Sequence, residues 1–370
     1  MHTSCGKACK RFNTKQMNYK DLGYHSKLEN YRIEQDLGSL EIGRVISEHK
    51  ERYVLKTPTH EFDAELLGNL RFTAESRYDF PAVGDWVAFS EYDESKALIH
   101  AIYPRTSILE RQAVGKSGQV QIIATNIDYG LIVQAVDRDF NINRLERYLT
   151  ICNASGVEPL IVLSKVDLIE KSELDSIIDQ MAQRIKDVPL VAVSKDSIGY
   201  DQLEAVIEAG LTYCMLGSSG VGKSTLLNKL SGRQQMKTGE ISSSVNKGRH
   251  ITSHRELFVL DSGAILIDNP GMREVGIADT SSGLEMTFDT IIEYALQCRF
   301  KDCTHMHEEG CAVLAAVENG EIDEDAYANF RKMEKEKMHF ESDAMDKKKK
   351  DKDLGKVIKD FKKQRRNNKY

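Results

Sequence analysis

At 370 residues with a 41% apolar content, the chain is long enough for two or three domains with cores of their own, which excludes a disordered polymer. No run of about 18 uncharged apolar residues occurs, and no apolar stretch follows the basic N-terminus, so neither a membrane span nor a secretory leader is expected and a cytoplasmic protein is. The net charge of −6 conceals an asymmetry: residues 331–370 hold sixteen Lys or Arg against eight Asp or Glu, so a tail of +8 follows a body of −14.

A basic tail on an acidic body suggests an anionic partner, the alternative being a solvated charged helix. The seven cysteines are an odd set, scattered except for Cys298, Cys303 and Cys311, and are poor material for a disulfide framework.

Taken in order, residues 1–36 read as an N-terminal extension whose first sixteen positions lack any pattern. From Gly43 to Tyr103 short apolar–polar alternations (GRVISEH, RYVLKT, FDAELLG, VGDWVAFSEYD, ALIHAIYP) break at turn residues without a helical period. They predict a small β-barrel of the five-stranded OB type over 37–107. Trp86, at a strand start, reads as barrel core, with base stacking as the alternative.

After Pro104, strands alternate with helical stretches, the mark of a mostly parallel sheet covered by helices, over 108–280. Candidate strands are 130–136, 159–164, 189–194, 212–217, 256–260 and 264–268; candidate helices are 143–155 and 223–230. From about Ser281 the chain turns helical, is interrupted by a Cys/His cluster, and closes with the lysine-rich tail, so 281–370 reads as a third, helical domain.

Gly217-Ser218-Ser219-Gly220-Val221-Gly222-Lys223-Ser224 matches GxxxxGK[ST] between the strand TYCML and the apolar helix TLLNKL. In that context the glycines let backbone N–H groups curl around phosphates, Lys223 reaches the β and γ phosphates, and Ser224 ligates Mg²⁺. AILIDNPG ends a strand on Asp268 and continues to Gly271, like the DxxG loop in which an acid holds Mg²⁺ and a glycine N–H meets the γ-phosphate. Between them, in GRHITSHREL, Thr252 stands where a switch-loop threonine completes the Mg²⁺ shell; an ordinary polar loop is the other reading.

Ser164-Lys165-Val166-Asp167 follows an apolar strand and resembles the [NT]KxD guanine loop. The Asp167 carboxylate accepts both the ring N1–H and the exocyclic amine of guanine, a pairing adenine lacks, and the Lys165 stem lies over the base. VSKD, from 193 to 196, resembles the second guanine loop, with Ser194 its first residue. The order, guanine loops before phosphate loop, reverses that of ordinary GTPases. It describes a circular permutation, the same sheet opened elsewhere with the old termini joined.

Cys298-RFKD-Cys303-T-His305-MHEEG-Cys311 offers three thiolates and an imidazole, a closed tetrahedral set for one structural Zn²⁺, with His307 as alternative ligand. LSGRQQ, 230–235, is similar to the signature of ABC ATPases but follows the phosphate loop's own helix, and reads as a helix end.

Together these motifs, with GRHxT[ST]HREL and DxPGMRE, resemble the ribosome small-subunit-dependent GTPase A family, RsgA, over about Leu37 to Lys363. The resemblance implies an OB-fold, a circularly permuted GTPase domain and a zinc-binding helical domain. It also implies a monomer that binds GTP and GDP, with Mg²⁺, through Ser164 to Asp167 and Gly217 to Thr225, and zinc through Cys298, Cys303, His305 and Cys311. The family's activity is slow GTP hydrolysis stimulated by the small ribosomal subunit, late in that subunit's assembly, with binding to ribosomal RNA. Ser164, Asn269 and Ile251 depart from the family's commoner residues. Met272 stands where many GTPases place a water-positioning glutamine and an apolar side chain cannot orient water. His250 is then the catalytic candidate, the alternative being a histidine that only structures the loop. An RNA-binding module with an almost idle nucleotide site and an ATP-using enzyme are the competing readings; Asp167 opposes the latter.

Overall fold

The computed structural model describes residues 17–49, 51–113, 119–137, 140–232, 255–269, 281–343 and 345. His250, Ile251, Thr252, Gly271, Met272, residues 1–16 and most of the basic tail lie outside the described residues.

Helix α1 (Ser26–Glu34) precedes strands β1 (Glu41–His49), β2 (Arg52–Lys56) and β3 (Glu61–Leu66), helix α2 (Gly68–Thr73), and strands β4 (Trp86–Asp93) and β5 (Lys96–Ile102). The strands run β1-β2-β3-β5-β4, and β4 pairs back onto β1, which closes the five-stranded barrel. Val45, Leu55, Phe62, Val87, Phe89 and Ile99 fill its interior. Trp86 is buried as expected, at 1% exposure, but outside the barrel. Neighbouring strand residues point to opposite faces, and Val87 takes the inner one. Trp86 instead packs with Leu22, Leu28, Ile42 and Tyr103, edge-on to Tyr24 at 5.0 Å between ring centroids, so no base can stack on it. The segment from Met17 to Asp36, read from sequence as part of an extension, forms with Leu37 the lid over that tryptophan.

A hairpin of β6 (Ile108–Gln112) and β7 (Val120–Thr125), unforeseen in the sequence, leads to the second layer. There β8 (Tyr129–Ala135), α3 (Ile142–Ala154), β9 (Glu158–Ser164), α4 (Lys171–Arg184), β10 (Leu190–Val193), α5 (Tyr200–Val206), β11 (Thr212–Leu216) and α6 (Lys223–Leu230) alternate as predicted, and β12 (Glu256–Val259) and β13 (Ile265–Asp268) pair as neighbouring strands. Strands β10, β9, β8, β11 and β13 are parallel in that order, and β12 is antiparallel at the end. Apolar residues such as Leu131, Ile132, Val162, Leu163, Met215 and Leu216 are buried on both faces, as a helix-covered parallel sheet requires.

Strand β12 also pairs antiparallel with β1, Ser47 opposite Glu256, so barrel and parallel layer share one eleven-stranded sheet. Arg44 of β1, 1% exposed, locks this junction. Its guanidinium donates to the carbonyls of Leu22 (2.6 Å), Gly84 (3.2 Å) and Asn126 (3.1 Å) and to Thr212 Oγ1 (2.9 Å), tying the N-terminal lid, the barrel and β11 together. Gly84 belongs to this closure: with φ near 100°, a Cβ there would lie 2.1 Å from the Thr125 carbonyl oxygen.

The C-terminal helices are α7 (Ser281–Thr287), α8 (Asp289–Ala295), α9 (Ala312–Glu318) and α10 (324–343), packed around Phe288, Ile291, Val313, Phe330 and Met333. They dock on α3 of the parallel layer. Glu146 of α3, 1% exposed, receives the Arg184 fork at 2.8 and 2.9 Å and the Asn329 amide at 2.6 Å. Arg147 donates to Glu336 at 2.9 Å.

Candidate functional site

The described nucleotide-site candidates gather where such sheets bind ligands, at the carboxyl ends of the parallel strands. Ser164 ends β9, Ser194 follows β10, Gly217 follows β11, and Asp268 ends β13.

The loop from Gly217 to Gly222 turns β11 into α6 through positive φ at Gly217, Gly220 and Gly222. Gly217, at φ near 144°, has no room for a side chain, since a Cβ would sit 2.4 Å from the Val133 carbonyl oxygen. Ser218 is buried, Ser219, Ser224 and Thr225 are half-buried, and Val221 packs into the core. Lys223 is 8% exposed, and its Nζ donates to the carbonyls of Gly217 and Ser218, both at 2.7 Å, as a capped cation folded across the loop. Burial pushes its pKa down to about 8, against the pull of the Asp268 carboxylate.

Asp268 is 2% exposed, and its Oδ1 finds no hydrogen-bond donor among the described residues. Burial raises its pKa to about 6, opposed by Lys223 and assisted by Glu256 on the neighbouring strand. A buried carboxylate oxygen without a donor fits a divalent cation or its water, so these residues suit the Mg²⁺ that accompanies a nucleotide. Asn269 donates from Nδ2 to Cys214 Sγ at 2.8 Å, which fixes the turn after β13.

The two guanine-loop candidates meet. Ser164 Oγ donates to the Val221 carbonyl at 2.5 Å, so the hydroxyl that replaces the usual amide or threonine binds this loop to the phosphate loop. Lys165 has a positive φ of 61° and starts a short 3₁₀ turn over Val166–Leu168 that leaves Asp167 exposed. Asp167 Oδ1 accepts from the Lys195 backbone N–H at 3.2 Å, which bridges to the loop after β10. Ser194 is buried, and its Oγ accepts from the Ile198 N–H at 3.3 Å, closing that loop.

Two further residues at this end were missed. Asp137, two positions beyond β8, accepts from Lys165 Nζ at 2.7 Å. An acid just past a buried strand is the same signal that marked Asp268, and it was readable here. Tyr148 of α3, 1% exposed, sets its hydroxyl against Ser218 of the phosphate loop, a contact no local pattern announces.

About the start of α9, Cys298, Cys303, His305 and Cys311 bring one ligand atom each within 4.8 Å of one another. The Cys298 and Cys311 sulfurs are 3.9 Å apart and lie 3.6 and 3.5 Å from His305 Nδ1. A zinc tetrahedron with bonds of about 2.0–2.3 Å has edges of about 3.5–3.8 Å, so the cluster has the size and donor chemistry of a zinc site. His307 is outside it. The Leu314 N–H donates to Cys311 Sγ at 3.4 Å, and the Tyr327 hydroxyl holds the His305 carbonyl.

Residues 102–278 match the RsgA GTPase family. Among similar proteins are a Small ribosomal subunit biogenesis GTPase RsgA 2 from Lactiplantibacillus plantarum, 43% identical over 80% of this chain and 83% of that one. A Small ribosomal subunit biogenesis GTPase RsgA from Opitutus terrae is 41% identical over the same shares. Two solved structures are similar. YjeQ from Thermotoga maritima has a TM-score of 0.57 and 25% identity, covering 79% of this chain and 96% of its own. YloQ, described as a circularly permuted GTPase, has a TM-score of 0.55 and 25% identity, covering 83% and 96%. Identity at this level across most of both partners places the chain in the RsgA GTPase family, as a GTP hydrolase of the circularly permuted kind.

Proposed function

We propose that the protein is a GTPase of small-subunit ribosome biogenesis, which binds the small subunit and its RNA, acts late in its maturation, and hydrolyses GTP faster when bound to it. The observation that carries this reading is the convergence of Lys223, Asp268 and Asp167 at one end of the sheet, in a chain whose relatives bear that biogenesis name.

In this reading the Gly217–Thr225 backbone and Lys223 hold the phosphates, Asp167 reads the guanine edge, and Lys165, Val166 and Ser194 frame the base. Ser224 and Asp268, with Thr252 and Gly271 beyond the described residues, face the metal and γ-phosphate; Mg²⁺, when bound, neutralises charge developing on the phosphate oxygens. His250 is proposed as the group that orients water in place of Met272. One structural zinc holds the Cys298–Cys311 knuckle, and the basic end of the chain supplies charge for RNA. Among the described residues no helix is long and apolar enough to cross a membrane, which accords with a cytoplasmic site of action. A monomer fits the family resemblance.

The test is phosphate release from GTP and ATP with and without purified small subunits, on wild type and Lys223→Ala. The expected result is GTP-selective turnover that the subunit raises by about 10³ or more and the variant abolishes. Turnover indifferent to the subunit would instead favour an RNA-binding module with an idle nucleotide site.

A further inference from the structure

We infer that Asp137 is a positioning residue of the guanine site, which acts by holding the Lys165 side chain in place as the surface against which the base plane lies. The inference rests on the GTP-binding reading above.

Lys165 is fixed at both ends. Its backbone sits at φ 61° in the turn after Ser164, itself tied to Val221 of the phosphate loop, and its Nζ meets Asp137 Oδ2 at 2.7 Å. The two side chains are 24% and 27% exposed, so the pair is partly shielded from water. A free lysine stem samples many rotamers, which binding must freeze at a cost. Held at Cα and Nζ together, the stem has less rotamer freedom left to lose when a nucleotide arrives, the advantage of preorganisation.

Division of labour follows from the geometry. A stem against the face of a purine touches what all purines share, whereas the exposed Asp167 carboxylate, braced by the Lys195 N–H, meets the edge at which purines differ. Asp137 therefore governs how tightly any purine accepted by Asp167 is held, and Asp167 governs which purine that is.

Calorimetric titrations of wild type, Asp137→Asn, Asp137→Glu and Asp167→Asn with GDP, IDP, XDP, ADP and inorganic tripolyphosphate test this. Asp137→Asn is expected to weaken GDP and IDP by the same factor, about tenfold, while leaving tripolyphosphate unchanged. Asp137→Glu is expected to recover part of the loss, and Asp167→Asn to move preference towards XDP. Unchanged GDP affinity in Asp137→Asn would overturn the inference, as would an equal loss for tripolyphosphate, which marks damage to the phosphate loop. A wild-type protein that binds ADP as tightly as GDP would overturn the guanine reading itself.

Discussion

In the proposed nucleotide site, Lys223 is where pH is expected to reach binding. Burial holds its ammonium pKa down at about 8, and bound phosphates pull it up again, so above pH 8 the complex carries more proton than the free protein. Affinity then falls as pH rises through 8, by up to about tenfold per unit until the lysine of the complex itself titrates. Titrating GDP between pH 7 and 9.5 in buffers of different ionisation enthalpy measures both the fall and the proton uptake; constant affinity would show a lysine already charged throughout. A smaller effect belongs to Ser164. Removing Oγ in Ser164→Ala deprives the Val221 carbonyl of its donor, at about 1 kcal/mol, so nucleotide binding weakens about fivefold. Ser164→Thr keeps the hydroxyl and is expected to bind as wild type, a contrast equilibrium fluorescence with a labelled GDP resolves.

Helix α3 joins the nucleotide layer to the C-terminal helices. Asn141 caps its first turn, accepting the Arg144 N–H at 3.0 Å, and three successive residues then face three ways. Tyr148 reaches Ser218, Arg147 reaches Glu336, and Glu146 receives Arg184 and Asn329. Truncation in Glu146→Ala leaves the Arg184 guanidinium, 9% exposed, without the carboxylate that takes its fork, the Asn143 amide oxygen at 2.6 Å remaining beside it, and is expected to cost about 3–5 kcal/mol in urea unfolding. A loss below about 1 kcal/mol would mean that Asp323, 3.5 Å from Arg184, takes over the charge. The Cys/His cluster is the second determinant here. Cys298, Cys303, His305 and Cys311 adjoin a small core around Phe288 and Phe330, and with the proposed zinc bound so small a core would draw much of its stability from the metal. Chelation is expected to open proteolytic sites in 281–343 before any in the parallel sheet.

Across the molecule, a shared sheet and the buried Arg44 join the barrel to the parallel layer. Strand β12 lies between β1 of the barrel and β13, with Glu256 opposite both Ser47 and the Asp268 carboxylate position. The barrel is thereby hydrogen-bonded to the strand beside Asp268, the proposed metal ligand. Arg44→Met removes four hydrogen bonds and leaves buried carbonyls of Leu22 and Gly84 without that donor, an expected loss of about 3–5 kcal/mol. Trp86, the single tryptophan, reports the consequence: as the lid bearing Tyr19 and Tyr24 lifts, its emission shifts to the red. An unshifted spectrum with an unchanged melting temperature would show that Arg44 is not what holds the junction.

The phosphate loop, the parallel strands and the knuckle were legible in the chain because each is written in neighbouring residues. A glycine-rich turn between TYCML and TLLNKL, a buried apolar run, and three cysteines and a histidine at ligand spacing within fourteen positions carry their physics locally. The permuted order was legible for the same reason, since it is a statement about sequence. What folding alone established are contacts between distant residues: Lys165 with Asp137 over 28 positions, Ser164 with Val221 over 57, and Arg44 with Thr212 over 168. Any acid, hydroxyl or carbonyl suffices for such a bond, so residue type does not mark it in advance. Trp86 shows the same division. Its burial follows from its chemistry, but which side of the barrel it faces depends on strand register and on where Tyr24 comes to rest.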